Sequence, residues 1–426
     1  MRRRPAVVLF ALFLAALAAA IVYDLGRHDH PRVEPPSARA TPTPARAGPA
    51  EPEAGEGLAV GVTEFNPNLV APAELKPLAE PWHGVREQLA RIQPDFFRLV
   101  IDWAAVQPTA EAPANMDVPQ GGCMRRLGPC LGWGGVREQL RALAARQREG
   151  GWKTLVVVTS TPDWAASPPS GCERDRAIPR ARPPRADTLA AYRALVSAVL
   201  AAASQEGARL TYWSPWNEPN HPAFISPQRS ECDPASPSLA PAAYAQLATA
   251  LQAALDEAPG EQRLVIGELA GLPRSTRYVT SVPDFIAALP RELVCASTVW
   301  SQHAYIGGED PVEPAAQALA AFGCPRPHTI WITETGVGPA PEDLSAGGSI
   351  ADARAGCRAL HAQLVRWWRD PRVTVAIQYT VREDDKFPVG LVSTDLTEPR
   401  PALKVWTAWG AGRDPSSPPP PSACRT

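Results

Sequence analysis

An eightfold alternation narrows the fold more than any other feature of this chain. Eight short runs rich in β-branched and aromatic residues, bounded by Gly, Pro or Asn, are each followed by an Ala/Leu/Arg stretch with apolar residues at helical spacing. The runs are 58–65 (LAVGVTEF), 96–103, 154–161, 210–218, 263–270, 297–306, 329–336 and 373–381. Helical spacing covers 83–92, 134–149, 186–206, 240–258, 283–289, 311–321, 350–369 and 401–409. Near-continuous apolar strands need cover on both faces, and parallel strands need crossover helices between them. Eight such units over about 355 residues predict an α/β fold, a (β/α)8 TIM barrel with enlarged loops. A doubly wound sheet is the alternative compatible with the same alternation.

Polar residues fall where a barrel would use them. Glu64, Asp102, Asp163, Glu218, Glu268, His303, Glu334 and Asp384 sit at or just beyond the C-terminal ends of their runs, and in a barrel those ends meet at one mouth. In YWSPWNEPN (212–220), Pro219 cannot continue a central ladder, so Asn217 and Glu218 stand at the rim. TIWITETGVG (329–338) repeats the arrangement with Glu334 before a loop opened by Gly336 and Gly338. Retaining glycosidic cleavage needs two carboxyls about 5 to 5.5 Å apart, one protonating the leaving oxygen while the other attacks the anomeric carbon. That assignment asks for a proton on Glu218 and a charge on Glu334. Trp103, Trp164, Trp213, Trp216 and Tyr379 lie close enough to the expected mouth to stack on sugar faces. Arg382, Asp384 and Asp385 would also line it, which suits charged or substituted sugars.

The ends of the chain point outside the cytoplasm. Three arginines precede an apolar run from Ala6 to Tyr23, so residues 1–27 read as a signal peptide or an N-terminal anchor in the cytoplasmic membrane, both open on length. Residues 28–56 are a Pro/Ala-rich linker, 57–412 the catalytic domain and 413–426 a Pro/Ser-rich tail. Eight cysteines in an exported chain favour disulfides over metal ligands, and none has structural zinc spacing. Cys123 with Cys130 and Cys172 with Cys232 are the expected pairs; the pairing of Cys295, Cys324, Cys357 and Cys424 stays open. A formal net charge of −2 gives no reason to expect a nucleic-acid partner.

WNEPN at the fourth strand and TETG at the seventh resemble the acid/base and nucleophile motifs of clan A glycoside hydrolases. The resemblance spans roughly residues 57–410 and is nearest to families 39 and 5; Gln378 and Tyr379, where family 5 usually has Trp, lean it toward family 39. It implies Glu218 as acid/base, Glu334 as nucleophile, and Asn217 as a hydrogen-bonding partner of the sugar 2-hydroxyl. Arg98 in RLVIDW matches an arginine that keeps the nucleophile ionised, and an arginine within an apolar strand is costly to bury unless a carboxylate pairs with it. His303 and Tyr305 match a pair that orients the two carboxylates; two residues apart, they point to the same side of a strand. The expected function is retaining hydrolysis of a β-linked polysaccharide or oligosaccharide, with no metal and no cofactor. A transglycosylase with the same site and a catalytically silent glycan-binding barrel are the alternatives.

Overall fold

The computed structural model describes residues 57–118, 135–337, 350–383, 387–410 and 416–424. The N-terminal segment and linker, the expected Cys123–Cys130 pair, and Gly338, Asp384 and Asp385 lie outside the described residues. The strands are β1 (Ala59–Thr63), β2 (Phe96–Asp102), β3 (Lys153–Thr159), β4 (Tyr212–Ser214), β5 in two pieces (Arg263–Leu264 and Ile266–Leu269), β6 (Val299–His303), β7 (Thr329–Thr335) and β8 (Val373–Tyr379). All are parallel to their neighbours, and β8 pairs with β1. The first piece of β5 pairs with β4 and the second with β6, which closes a (β/α)8 barrel.

The expected helices form an outer layer around this barrel. The helix Leu189–Glu206 buries Tyr192, Leu195, Val196, Val199, Ala202 and Ala203, one face at helical spacing, and stops at Gly207 in the left-handed region (φ 75°). Its apolar stretch, Ala186–Glu206, is also long enough to cross a membrane, but the buried stripe makes it a barrel helix. Short helices at Pro67–Val70, Trp103–Val106 and Arg291–Ala296 had no counterpart in the sequence reading. Among the described residues three disulfides form: Cys172–Cys232 as expected, Cys295–Cys324, and Cys357–Cys424, which fastens the tail to the helix Ile350–Arg369.

Two apolar clusters divide the core. The larger lies between strands and helices. The smaller fills the barrel, with members from every strand position: Ala59, Phe96, Leu155, Val157, Tyr212, Val265, Val299, Trp331, Val375 and Ile377. Phe96, Tyr212 and Trp331 meet edge to face or tilted, with ring centres 4.7 to 5.9 Å apart. Because side chains alternate along a strand, the inward positions two residues further on are Arg98, Ser214, Ser301 and Thr333. An apolar floor therefore carries a polar layer above it.

The break in β5 matters for that layer. The Gly267 N–H donates to the Tyr244 hydroxyl (2.6 Å) and the Glu268 N–H to Ser301 Oγ (2.6 Å), so side chains take over part of the ladder. The bulge that results turns Glu268 into a left-handed conformation (φ 55°) and aims its carboxylate at the barrel axis. Gly267 has φ 116°, and a Cβ there would stand 2.2 Å from the Ser301 carbonyl oxygen. Gly267→Ala should cost about 2 to 4 kcal/mol of stability, read by chemical denaturation. Parent-like stability would mean that this close approach does not fix the bulge.

Candidate active site

The polar layer is organised by one cation. Arg98, 1% exposed on β2, donates from Nη1 to Glu334 Oε1 (2.7 Å) and from Nη2 to Glu268 Oε2 (2.5 Å) and Asn217 Oδ1 (2.6 Å). Its Nε also reaches Glu268 Oε2 at 3.1 Å. A buried guanidinium is tolerable only when its donors are met in this way. His303, at the end of β6 and fully buried, forms the second hub. Its Nδ1 lies 2.8 Å from Glu218 Oε1 and 3.3 Å from Glu334 Oε2, and its Nε2 lies 3.2 Å from Glu268 Oε2. The Tyr305 hydroxyl donates to Glu334 Oε2 at 2.6 Å. Arg98, Asn217, Glu218, His303, Tyr305 and Glu334 are thus brought together as the sequence implied.

Local geometry sets the two rim carboxyls. Glu218 lies beyond the end of β4 with φ 39°, and its N–H donates to the Glu268 carbonyl (2.8 Å), which pins the NEP turn to β5. A register shift between Ile332 and Thr335 brings Glu334 round toward the axis although Thr333 also faces inward. One oxygen each of Glu218 and Glu334 and a ring nitrogen of His303 all lie within 4.8 Å of one another.

Charge follows from this packing. Burial alone would lower the His303 pKa, but Glu334, Glu218 and Glu268 raise it to about 10, so the ring is an imidazolium at neutral pH. Burial would raise Glu268, yet Arg98 and His303 hold it at about 2. Glu334 departs from expectation. Burial lifts its carboxyl above the ordinary range with help from Glu218, against the pull of His303, Arg98 and the Tyr305 hydroxyl. Arg98 does pull Glu334 down, as the sequence suggested, but burial outweighs that pull. The three clustered atoms of Glu218, His303 and Glu334 also have metal-ligand spacing.

Glu268 is the functional residue that sequence reasoning left unassigned. Its signal was present: a lone carboxylate after glycine in the apolar run RLVIGELA. Phe387 was also missed. Its ring, 39% exposed, packs edge-on to Tyr305 (4.9 Å) and lies 6.0 Å from Tyr379, so Tyr379 joins the site's edge through it. The tryptophan expectations need correction. Trp103, Trp213 and Trp216 are fully buried and cannot present a face to a sugar, because they fill the layer between strands and helices. Trp164 is half-buried; its indole N–H donates to the Gln107 carbonyl (3.0 Å) and its ring packs on Trp103, a loop-bracing role. Glu64 and Asp102 also serve structure. Glu64 accepts the N–H groups of Asn66 and Arg382, and Asp102 accepts that of Ala105 and pairs with Arg180.

Glu268→Gln should free His303 to titrate. In the parent, the favourable protonation of His303 is complete below its ordinary value of 6.5 and is lost as pH rises through about 10. Removing the Glu268 charge should lower the His303 midpoint by at least about one unit, read from the ring-nitrogen NMR shifts of labelled histidine. An unmoved midpoint would deny the Glu268 contact any electrostatic role.

Solved structures share this fold. The chain is similar to a conserved exported protein from Bacteroides fragilis (TM-score 0.54, 15% identity, covering 84% of this chain and 79% of that one). It is also similar to a GH53 catalytic domain from Ignisphaera aggregans (TM-score 0.50, 17% identity, 82% and 96% covered). For a family 39 glycoside hydrolase from Bacteroides cellulosilyticus the values are TM-score 0.47 and 16% identity over 85% of this chain, which spans 65% of that chain's length. No family model and no curated protein matches the sequence. What the chain shares with these structures is the barrel fold.

Proposed function

We propose that this protein is a retaining glycoside hydrolase acting on a β-linked polysaccharide or oligosaccharide outside the cytoplasm, with residues 57–412 as its catalytic domain. The observation that carries the reading is the approach of Glu218 and Glu334 at one barrel mouth, oxygen atoms within 4.8 Å with His303 between them. Two carboxyls this close leave no room for the water that inversion would place between them, whereas direct attack by one carboxylate suits them.

In the first step Glu334 attacks the anomeric carbon while Glu218 gives its proton to the departing glycosidic oxygen. The glycone is left as an ester on Glu334. In the second step Glu218, now ionised, takes a proton from water, and the water oxygen displaces Glu334 to release the sugar and restore both groups. The buried cluster suits this exchange. Two cations, Arg98 and His303, face three carboxyls, so one proton shared across Glu218 and Glu334 leaves the cluster neutral. Tyr305 and Arg98 each hold one oxygen of Glu334 and fix its plane for attack. Asn217 has its oxygen committed to Arg98, so its amide nitrogen would donate to the sugar 2-hydroxyl. Three disulfides suit an oxidising compartment, and the exported Bacteroides fragilis neighbour supports the same location; the N-terminal segment would serve as signal or anchor.

Glu334→Gln should lower kcat on any substrate the parent cleaves by about 10³-fold or more, measured by product release, and retention of full activity would sink the mechanism. Glu218→Gln should behave differently. It should lose activity on natural glycosides, while on aryl glycosides whose phenolate leaves without a proton it should keep most of kcat/KM and lose kcat, because the second step still lacks its base, a loss that added azide should reverse. Product analysis separates hydrolysis from transfer to a second sugar, and binding without turnover in the parent chain would point to a silent glycan-binding barrel.

A further inference from the structure

We propose that the rim around Glu218 binds an acidic stretch of glycan, with carboxylate-bearing sugars on the leaving-group side of the scissile bond. This rests on the glycosidase reading, since Glu218 would protonate the leaving oxygen and the leaving sugar must then lie on its side of the mouth. The loops after β3, β4 and β5 form that side, and they are bound to one another. Cys172 is bonded to Cys232; the Glu173 carboxylate accepts the Gln228 N–H; the Ser226 N–H donates to the Ala181 carbonyl (2.7 Å); and the Thr280 N–H donates to the Asn220 carbonyl (3.1 Å). The buried Arg229 guanidinium reaches the Thr276 carbonyl at 2.9 Å.

This fixed frame is strongly basic in a chain whose formal net charge is −2. Residues 171–185, 219–239 and 271–281 hold eight arginines against four carboxylates. Arg182, Arg185 and Arg229 are committed to backbone carbonyls, and Glu173 is buried against Gln228. Arg174, Arg176, Arg180 and Arg274 are exposed and Arg277 is half-exposed. Arg176 and Arg277 both lie over the Tyr278 ring, 5.6 and 4.7 Å from its centre, so one tyrosine holds two guanidiniums at the junction of two loops. The Thr161 N–H at the end of β3 donates to the Arg180 carbonyl (3.0 Å), and Asp102 at the end of β2 pairs with the Arg180 side chain (3.1 Å), which sets Arg180 at the lip.

The opposite side of the mouth differs. Around β6 to β8 the described groups include the aromatic rings of Tyr305, Tyr379 and Phe387, the exposed carboxylates of Glu309 and Asp310, and Arg400 paired to Glu383. Rings suit neutral sugar faces, and guanidinium forks suit carboxylates. Exposed Asp175, Glu231 and Asp233 interrupt the basic rim and would repel the dense charge of a nucleic acid, whereas carboxylates spaced one per sugar can pass between them.

The full chain carrying Glu334→Gln, titrated with oligosaccharides of alginate and of polygalacturonate and with neutral cello- and xylo-oligosaccharides of equal length, tests this by calorimetry. At least one uronate series should bind about tenfold or more tighter than the neutral series, with affinity falling steeply in salt. Arg174→Glu with Arg274→Glu should remove about tenfold of that preference while leaving neutral binding and Tm unchanged. Equal binding of acidic and neutral oligosaccharides, indifference to the charge reversal, or DNA binding as tight and as sensitive to it would each overturn the assignment. If the parent cleaves neutral glycans and ignores uronates, the rim inference fails while the glycosidase reading stands. If uronates bind through the rim and no glycan is cut, the glycosidase reading fails instead.

Discussion

The buried guanidinium of Arg98 is the interaction on which the rest of this mouth depends. It sits two residues beyond Phe96 on β2, directly above the aromatic floor that closes the barrel interior. A cation in that position is stable only if fixed negative groups surround it. Glu268 from β5 and Glu334 from β7 supply them, and Asn217 in the turn after β4 adds a neutral amide acceptor. Each of these groups is held in turn. The bulge at Gly267 aims Glu268, the register shift in β7 turns Glu334 inward, and the Glu268 carbonyl anchors the Glu218 turn. The geometry of two candidate catalytic carboxyls is therefore a consequence of satisfying one buried charge.

His303 completes the balance that Arg98 begins. With Glu268 tied to both cations, the barrel axis carries a pair of positive groups and one committed negative group. The remaining positive charge is divided between Glu334 and Glu218, which sit where water and substrate can reach. A proton moving between those two changes little in the total charge of the cluster. On the proposed mechanism this arrangement would let one site act as acid in one step and as base in the next without reorganising its surroundings. Glu268 never needs to touch a substrate to matter, because it sets how much of each cation the other two carboxyls receive.

Much of this was readable in the sequence, for physical reasons that also explain the misses. Strand runs such as TLVVVTST and TIWITETG were legible because parallel strands covered on both faces are continuously apolar, and the helices between them show their buried stripe at a different period. Glu218, Glu334 and His303 stood out because polar groups at the ends of such runs need a reason to be there, Tyr305 because it follows His303 by two residues, and Arg98 because a charge within an apolar strand needs a partner. Glu268 met the same criterion, yet its orientation depends on the side chains of Tyr244 and Ser301, which accept the Gly267 and Glu268 N–H groups and reshape β5, and no local pattern announces a bulge of that kind. Trp213 and Trp216 misled in the opposite direction. A ring beside a catalytic-looking motif suggests a sugar platform, but alternation and the early end of β4 turn both into the helix-facing core. Which side of a strand a residue takes near its end is decided by where the strand stops, and propensity fixes that boundary least well.

The mouth also has a polarity that the floor does not share. Below the charged layer the barrel is apolar around its whole circumference, whereas above it the β3 to β5 loops carry arginines and the β6 to β8 loops carry aromatic rings. Loops can diverge in this way because the barrel beneath them is already closed by its own core, so their composition is free to answer to what they meet outside. The disulfide and backbone ties on the basic side make sense in the same terms. Arg176 and Arg277 of two neighbouring loops repel one another across the Tyr278 ring, and Cys172–Cys232 and the Glu173 contact with Gln228 join the loops on this side. Those ties hold guanidiniums of neighbouring loops near one another without any ligand, and a negatively charged group lying among them, as proposed for an acidic glycan, would relieve the repulsion that remains.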